Sequence, residues 1–150
     1  STIVEQYIDA GATTSYMTQN DMEIDKHGNI YVTSVDNATG SYRMKVKKYD
    51  VATSTWSTFG DLISTSQYSR ATDLSISPLG TIYLAYHNDL KQPVVTYYDK
   101  ETRNWTTPII LDNAESSDIY LEFMQNGTGY AGYLNSSKNF VMFKYDTPQN

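Results

Sequence analysis

The chain has 150 residues, a net charge of −6, 14 tyrosines, two histidines and no cysteine. The lack of cysteine excludes disulfides, zinc–thiolate sites and cysteine nucleophiles. The basic residues number only 11 and are mostly scattered, which argues against nucleic acid or an anionic membrane as the main partner. No apolar run approaches the roughly 18 residues of a membrane helix, so we expect no membrane insertion.

One pattern runs through the chain three times. Each pass has a strand opened by Asp, a turn with Gly, a strand around Tyr, and a strand that ends in Tyr-Asp. The passes run from Asp21 to Asp50, from Asp73 to Asp99 and from Asp118 to Asp146. A period of a little under 50 residues is typical of propellers and other repeat folds. The alternating strands carry apolar groups on both faces, which favours sheets stacked between neighbours.

Turn chemistry punctuates each repeat. Gly stands where a short hairpin requires positive φ, at Gly28, Gly80 and Gly127. Between the third and fourth strands, the spacing from Tyr-Asp to Trp is the same in the first two repeats, which predicts that Asp opens a turn and Trp anchors the outer strand. No helix is predicted.

The start of the chain matches the fourth strand of the first repeat at a constant shift of 52, with Tyr7 against Phe59 and Asp9 against Asp61. We therefore expect one unit, 1–150, with a leading fourth strand at 1–10. The three repeats are predicted at 21–62, 73–112 and 118–146, and the third lacks a fourth strand.

The repeat positions resemble the β-propeller repeat families of secreted and surface proteins, which include lectins and sialidase-like hydrolases. The residues that carry the resemblance are Trp56, Gly60, Asp73, Gly80, Tyr83, Ala85, Tyr86, Tyr98, Asp99 and Trp105. The resemblance implies an all-β propeller of three four-stranded blades per chain. Propellers need about four to eight blades, so we expect a six-bladed ring formed by a homodimer with terminal strand exchange. The alternative is a piece of a longer propeller.

In a propeller, the loops from fourth to first strands and from second to third strands lie on one face. The residues expected to bind a ligand there are Tyr16, Asp21, Tyr68, Arg70, Asp73, Tyr86, His87, Asn88, Asp118 and Tyr133. Aromatic rings can stack on a pyranose, and Asp, Asn and Arg can bond its hydroxyls. The plainer alternative is that Asp21, Asp73 and Asp118 cap turns or bond the backbone of a neighbouring blade.

Catalysis is not favoured by the sequence. His27 is predicted in a turn and His87 in a loop, and no Gly-x-Ser-x-Gly motif occurs. The arginines Arg43, Arg70 and Arg103 stand in three different strand contexts, unlike the arginine cluster of sialidases. Carboxylates on the innermost strands leave a glycoside hydrolase open as a less favoured interpretation.

We therefore expect a non-catalytic recognition module, secreted or at the cell surface, that binds carbohydrate through clefts between blades. The expected partners are a glycan or a surface protein and a second copy of the chain, and no metal or cofactor is expected. The alternative from another class is a structural or protein-interaction scaffold, such as a fragment of a larger surface protein.

Overall fold

A computed structural model describes residues 20–36, 43–61, 63 and 72–146. This part of the chain is all β, with three antiparallel sheets and no helix. Its strands are β1 (Met22–Ile24), β2 (Ile30–Asp36), β3 (Arg43–Asp50), β4 (Thr55–Thr58), β5 (Thr72–Ile76), β6 (Ile82–His87), β7 (Pro93–Asp99), β8 (Asn104–Trp105), β9 (Ile109–Ile110), β10 (Ser116–Phe123), β11 (Thr128–Asn135) and β12 (Phe140–Asp146).

Each sequence repeat forms one sheet with neighbouring strands in chain order. The first sheet has the order β1-β2-β3-β4, the second β5-β6-β7-β8 with β9 also paired to β7, and the third β10-β11-β12. Within the described residues, the third sheet has no fourth strand and the three sheets do not close a ring. The leading strand expected at 1–10 lies outside the described residues.

The predicted turn chemistry is confirmed. Gly28, Gly80 and Gly127 have φ values of 87°, 78° and 89°, a region that favours glycine because it has no Cβ. The Asp50 carboxylate accepts hydrogen bonds from the amides of Ala52 and Thr53. Asp99 does the same for the Glu101 amide, so the Asp of the first two Tyr-Asp pairs opens a turn as expected.

The second sheet lies between the other two and is buried on both faces. Strand β6 is buried along its whole length, which fits its run of apolar residues. The first interface, between the first and second sheets, contains Tyr31, Met44, Val46, Leu74, Ile82, Leu84, Tyr86 and Val94. The second interface, between the second and third sheets, contains Tyr83, Ala85, Ile119, Leu121, Ala131 and Tyr133. The described part of the chain holds no helix of the length and apolarity needed to cross a membrane.

Candidate functional site

The predicted ligand-binding rim is only partly described. Tyr16, Tyr68 and Arg70 lie outside the described residues. The other predicted residues lie near one end of the sheets, and most of them have structural partners.

Asp21 and Asp73 tie neighbouring sheets together. Asp21 Oδ2 accepts a hydrogen bond of 2.5 Å from the Leu74 amide of the second sheet. Asp73 Oδ2 accepts one of 2.5 Å from the Leu121 amide of the third sheet. The same contact therefore repeats at both interfaces, as in the alternative in which these carboxylates bond the neighbouring backbone.

The Asp21 carboxylate lies close enough to Asp73 to affect the pKa of Asp73. Burial, together with the nearby Asp21 and Glu122 carboxylates, raises the pKa of Asp73 to about 7, although the Leu121 amide opposes this shift. Burial also raises the pKa of Glu23, with help from Asp21 and Glu122. The innermost strands thus carry an acidic row, yet no group of three His, Cys, Asp or Glu in the described part of the chain is arranged to hold a metal ion.

Asp118 does not occupy the repeat position of Asp21 and Asp73, which corrects the sequence alignment. Asp73 lies opposite Ala85, and the equivalent place in the third sheet, opposite Gly132, belongs to Tyr120. Asp118 falls instead at a register shift between Ser117 and Ile119, with φ of 47°. The bulge adds a residue at the start of β10. Counting back from the turn glycine gives the equivalent position, because Tyr120 stands seven residues before Gly127, as Asp73 does before Gly80.

The remaining predicted residues are packed or bonded within the fold. Tyr86 and Tyr133 are each only 2% exposed, and the Tyr133 hydroxyl donates to Asp112 at 2.8 Å. His87 ends β6 rather than standing in a loop, and its buried Nε2 lies 2.9 Å from Ser116 Oγ. Asn88 accepts the amides of Leu90 and Gln92 and so closes a turn.

A cleft of about 210 Å³ opens between the second and third sheets. It lies toward the hairpin turns at Gly80 and Gly127, and none of the predicted site residues lines it. Its lining residues are Tyr83, Val95, Tyr97, Ile109, Leu111, Leu121, Phe123, Gly129, Tyr130, Ala131, Phe143, Lys144 and Tyr145.

Small residues create this cleft. The turn glycines and the strand register align Gly129 with Ile82 and Ala131 with Leu84. Ile82 and Leu84 are buried in the first interface. In the second interface the Phe123 ring covers Gly129, where an added Cβ would lie 2.6 Å from it, and the short side chain of Ala131 leaves room for the cleft. The cleft is therefore specific to one interface.

Aromatic side chains fill the outer part of the first interface. Phe59 stacks on Tyr98 with ring centroids 3.9 Å apart, and Trp105 Nε1 donates to the Phe59 carbonyl at 3.0 Å. In the second interface Ile109 takes the place of Phe59. The Phe59 amide bonds to the backbone of Val46 in the first sheet, and Ile109 pairs with Val95, the equivalent residue of the second sheet. No described residue of the third sheet takes the place of Trp105, so the cleft stays open there.

The cleft has aromatic walls, and its lining is almost entirely apolar. The Tyr83 ring lies 4.6 Å from Phe123 and 5.4 Å from Tyr97, between ring centroids. Burial, with the neighbouring Tyr145 and Tyr97, raises the pKa of Tyr83 to about 12, so its hydroxyl stays neutral at physiological pH. Apolar aromatic walls of this kind suit the apolar face of a ligand.

Comparison with known proteins gives a structural likeness. No protein-family model and no curated protein matches the sequence. A solved fucose lectin from Kordia zhangzhouensis, in complex with methyl-fucoside, matches with a TM-score of 0.52 and 11% identity, over 87% of this chain and 94% of the lectin chain. This likeness shows a shared all-β fold.

A second solved structure, a fungal alcohol oxidase of the AA5 family in complex with copper, matches with a TM-score of 0.47 and 14% identity. The match covers 83% of this chain and 30% of the oxidase. Similarity at this level carries no argument about the present chain.

The sequence contained a signal for the cleft that the repeat analysis missed. The second strands read TIYLAYH in the second repeat and TGYAGYL in the third. The large aliphatic side chain of Leu84 is replaced by Ala131 at the equivalent position, and this loss marks a place where packing is interrupted. The aromatic walls around this place include Tyr83, Tyr97 and Tyr145.

Proposed function

We propose that this protein is a non-catalytic carbohydrate-recognition module of secreted or cell-surface type, whose three sheets are blades of a β-propeller. The observation that carries the proposal is the aromatic cleft between the second and third sheets. A propeller places such clefts between neighbouring blades, and the fold shared with a fucose lectin supports this reading.

The size and chemistry of the cleft favour a single sugar unit. Its volume of about 210 Å³ is below the range of roughly 300–1,000 Å³ for pockets that hold drug-sized ligands. The aromatic walls, which include Tyr83, Tyr97 and Tyr145, suit the C–H face of a pyranose. A deoxy sugar with a methyl group, such as a fucoside, suits these apolar walls.

A hydrolase is the less favoured interpretation because the carboxylates lie elsewhere. A glycosidase needs two carboxyl groups on either side of the scissile bond. The lining of the cleft includes no Asp or Glu, and the Asp21 and Asp73 carboxylates bond the backbone of the next sheet.

The proposal is tested by a glycan array followed by calorimetric titration of the selected sugar, with methyl-fucoside as the first probe. Ala131→Leu restores the large residue of the other interface and fills the cleft, so we expect at least a tenfold loss of affinity. Ala114→Leu adds the same side chain at an exposed loop position and is expected to leave affinity unchanged. An array without a specific glycan would instead favour the structural scaffold.

A further inference from the structure

The outer face of the third sheet is exposed although its counterpart in the second sheet is buried. Equivalent cross-strand rows are Tyr120, Gly132 and Met142 in the third sheet and Asp73, Ala85 and Val95 in the second. Ala85 is fully buried by the third sheet, whereas Tyr120 and Met142 are 53% and 61% exposed. The repeat pattern therefore predicts that another sheet packs on this face.

The first sheet shows the same feature on its opposite side. Met22 and Ile24 are 57% and 54% exposed. Leu74 and Leu121 occupy the position of Met22 in the other two sheets, and there the preceding sheet buries them to 1% and 4% exposure. Each end of the stack thus exposes an apolar face that corresponds to one half of an internal interface.

We propose that a second copy of this chain covers both ends. The outer face of the third sheet packs on the outer face of the first sheet of the second copy, and the reciprocal contact closes a six-sheet ring. This pairing follows from the repeat geometry and does not depend on sugar binding. Two identical contacts related by a two-fold axis are the usual form of a closed homodimer.

The hydrogen bonds at the new interface are compatible with Tyr120 in the place of an Asp. At the internal interfaces, an Asp of the preceding sheet accepts the amides of Leu74 and Leu121. The equivalent Met22 amide already donates to Asp21 Oδ1 at 2.8 Å within its own sheet. Burial of this amide against Tyr120 of the second copy therefore leaves no unpaired donor, which would otherwise be destabilising.

Among the described residues no strand pairs with the outer edge of β12, and this edge provides a second point of attachment. The equivalent strands β3 and β7 each pair with a fourth strand, and an unpaired edge readily accepts a strand from another chain. The occupant is the leading segment of the second copy, residues 1–10, which lie outside the described residues and match a fourth strand in sequence.

Light scattering on the full 150-residue chain tests the pairing. We expect a mass of twice 17.0 kDa. Met142→Asp and Ile24→Asp are each expected to shift the protein to a monomer, whereas Leu79→Asp, in a turn where Leu79 is 64% exposed, leaves the dimer intact. A wild-type monomer, an assembly larger than two copies, or a dimer unaffected by Met142→Asp would overturn the proposal.

A mixture of the two charge variants distinguishes loss of the interface from misfolding. In a ring of two chains, one Met142→Asp copy and one Ile24→Asp copy bring both changes into one interface and leave the other interface native. We expect the mixture to recover dimers that each variant alone does not form. Folded variants, with wild-type circular dichroism, that stay monomeric when mixed would contradict the pairing of these two faces.

Discussion

Replacement of Asp73 by asparagine tests the carboxylate pair that links the sheets. The pKa of Asp73 rises from 3.8 to about 7 in the fold, chiefly through burial. The native state therefore holds a proton that the unfolded chain releases above pH 4. The stabilising effect of this proton is complete below the unfolded pKa and is lost as the pH rises through the folded pKa.

The size of the effect follows from the pKa shift. About three units at about 1.4 kcal/mol each give an upper limit of about 4 kcal/mol. Because Asp73 is half-buried, solvent screening reduces this to about 1–2 kcal/mol. The introduced side-chain amide does not ionise, and its carbonyl can still accept the Leu121 amide. Asp73→Asn should therefore raise the free energy of unfolding at pH 8 by about 1–2 kcal/mol.

Urea unfolding of the wild type and the variant at pH 4.5, 6 and 8 measures this difference. The variant should show less loss of stability between pH 4.5 and 8 than the wild type. Asp99→Asn is the matched control, because hydrogen bonds from Glu101 and Thr102 lower the pKa of Asp99. The Asp99 carboxylate therefore contributes no loss of stability as the pH rises from 4.5 to 8. An equal pH dependence in wild type and Asp73→Asn would refute the reasoning.

Three further changes test the packing by urea unfolding. Gly60→Ala should destabilise the fold by about 2–3 kcal/mol, because the φ of Gly60 is 76° and an added Cβ would lie 2.8 Å from Trp105. Gly80 has a φ of 78° but open space around it, so Gly80→Ala should cost only about 1 kcal/mol. Equal losses of stability in the two variants would contradict this account. Trp105→Phe removes the donor to the Phe59 carbonyl and should cost about 1–2 kcal/mol, and no loss would show that this bond is not needed. Asp25→Ala deletes the acceptor of two turn amides, so the free energy of unfolding should fall by about 1–2 kcal/mol at pH 7. It should fall little at pH 2, and an equal loss at pH 2 would indicate that Asp25 acts through packing instead.

The sequence predicted the three-sheet organisation because local signals repeat. Turn glycines, Tyr-Asp pairs and alternating apolar residues are read from short windows, and the structure shows the corresponding turns and strands. The alignment of Asp118 with Asp73 was wrong because it matched residue type. The spacing to the turn glycine distinguishes them, since Asp118 stands nine residues before Gly127 and Asp73 seven before Gly80.

The candidate site was harder to predict because it depends on where a large side chain is missing from an interface. Binding residues were sought among polar loop side chains, and Asp21 and Asp73 proved to bond the neighbouring backbone. The cleft arises where Ala131 replaces a larger residue, and this becomes visible only when the equivalent positions of two interfaces are compared.

The most direct test of sugar recognition in the cleft is an NMR titration with isotope-labelled tyrosine rings, using methyl-fucoside and then the sugars selected by the array. The account predicts that the ring signals of Tyr83, Tyr97 and Tyr145 shift first and that Ala131→Leu abolishes these shifts. Saturable binding that leaves these three rings unchanged, or that persists in Ala131→Leu, would contradict it.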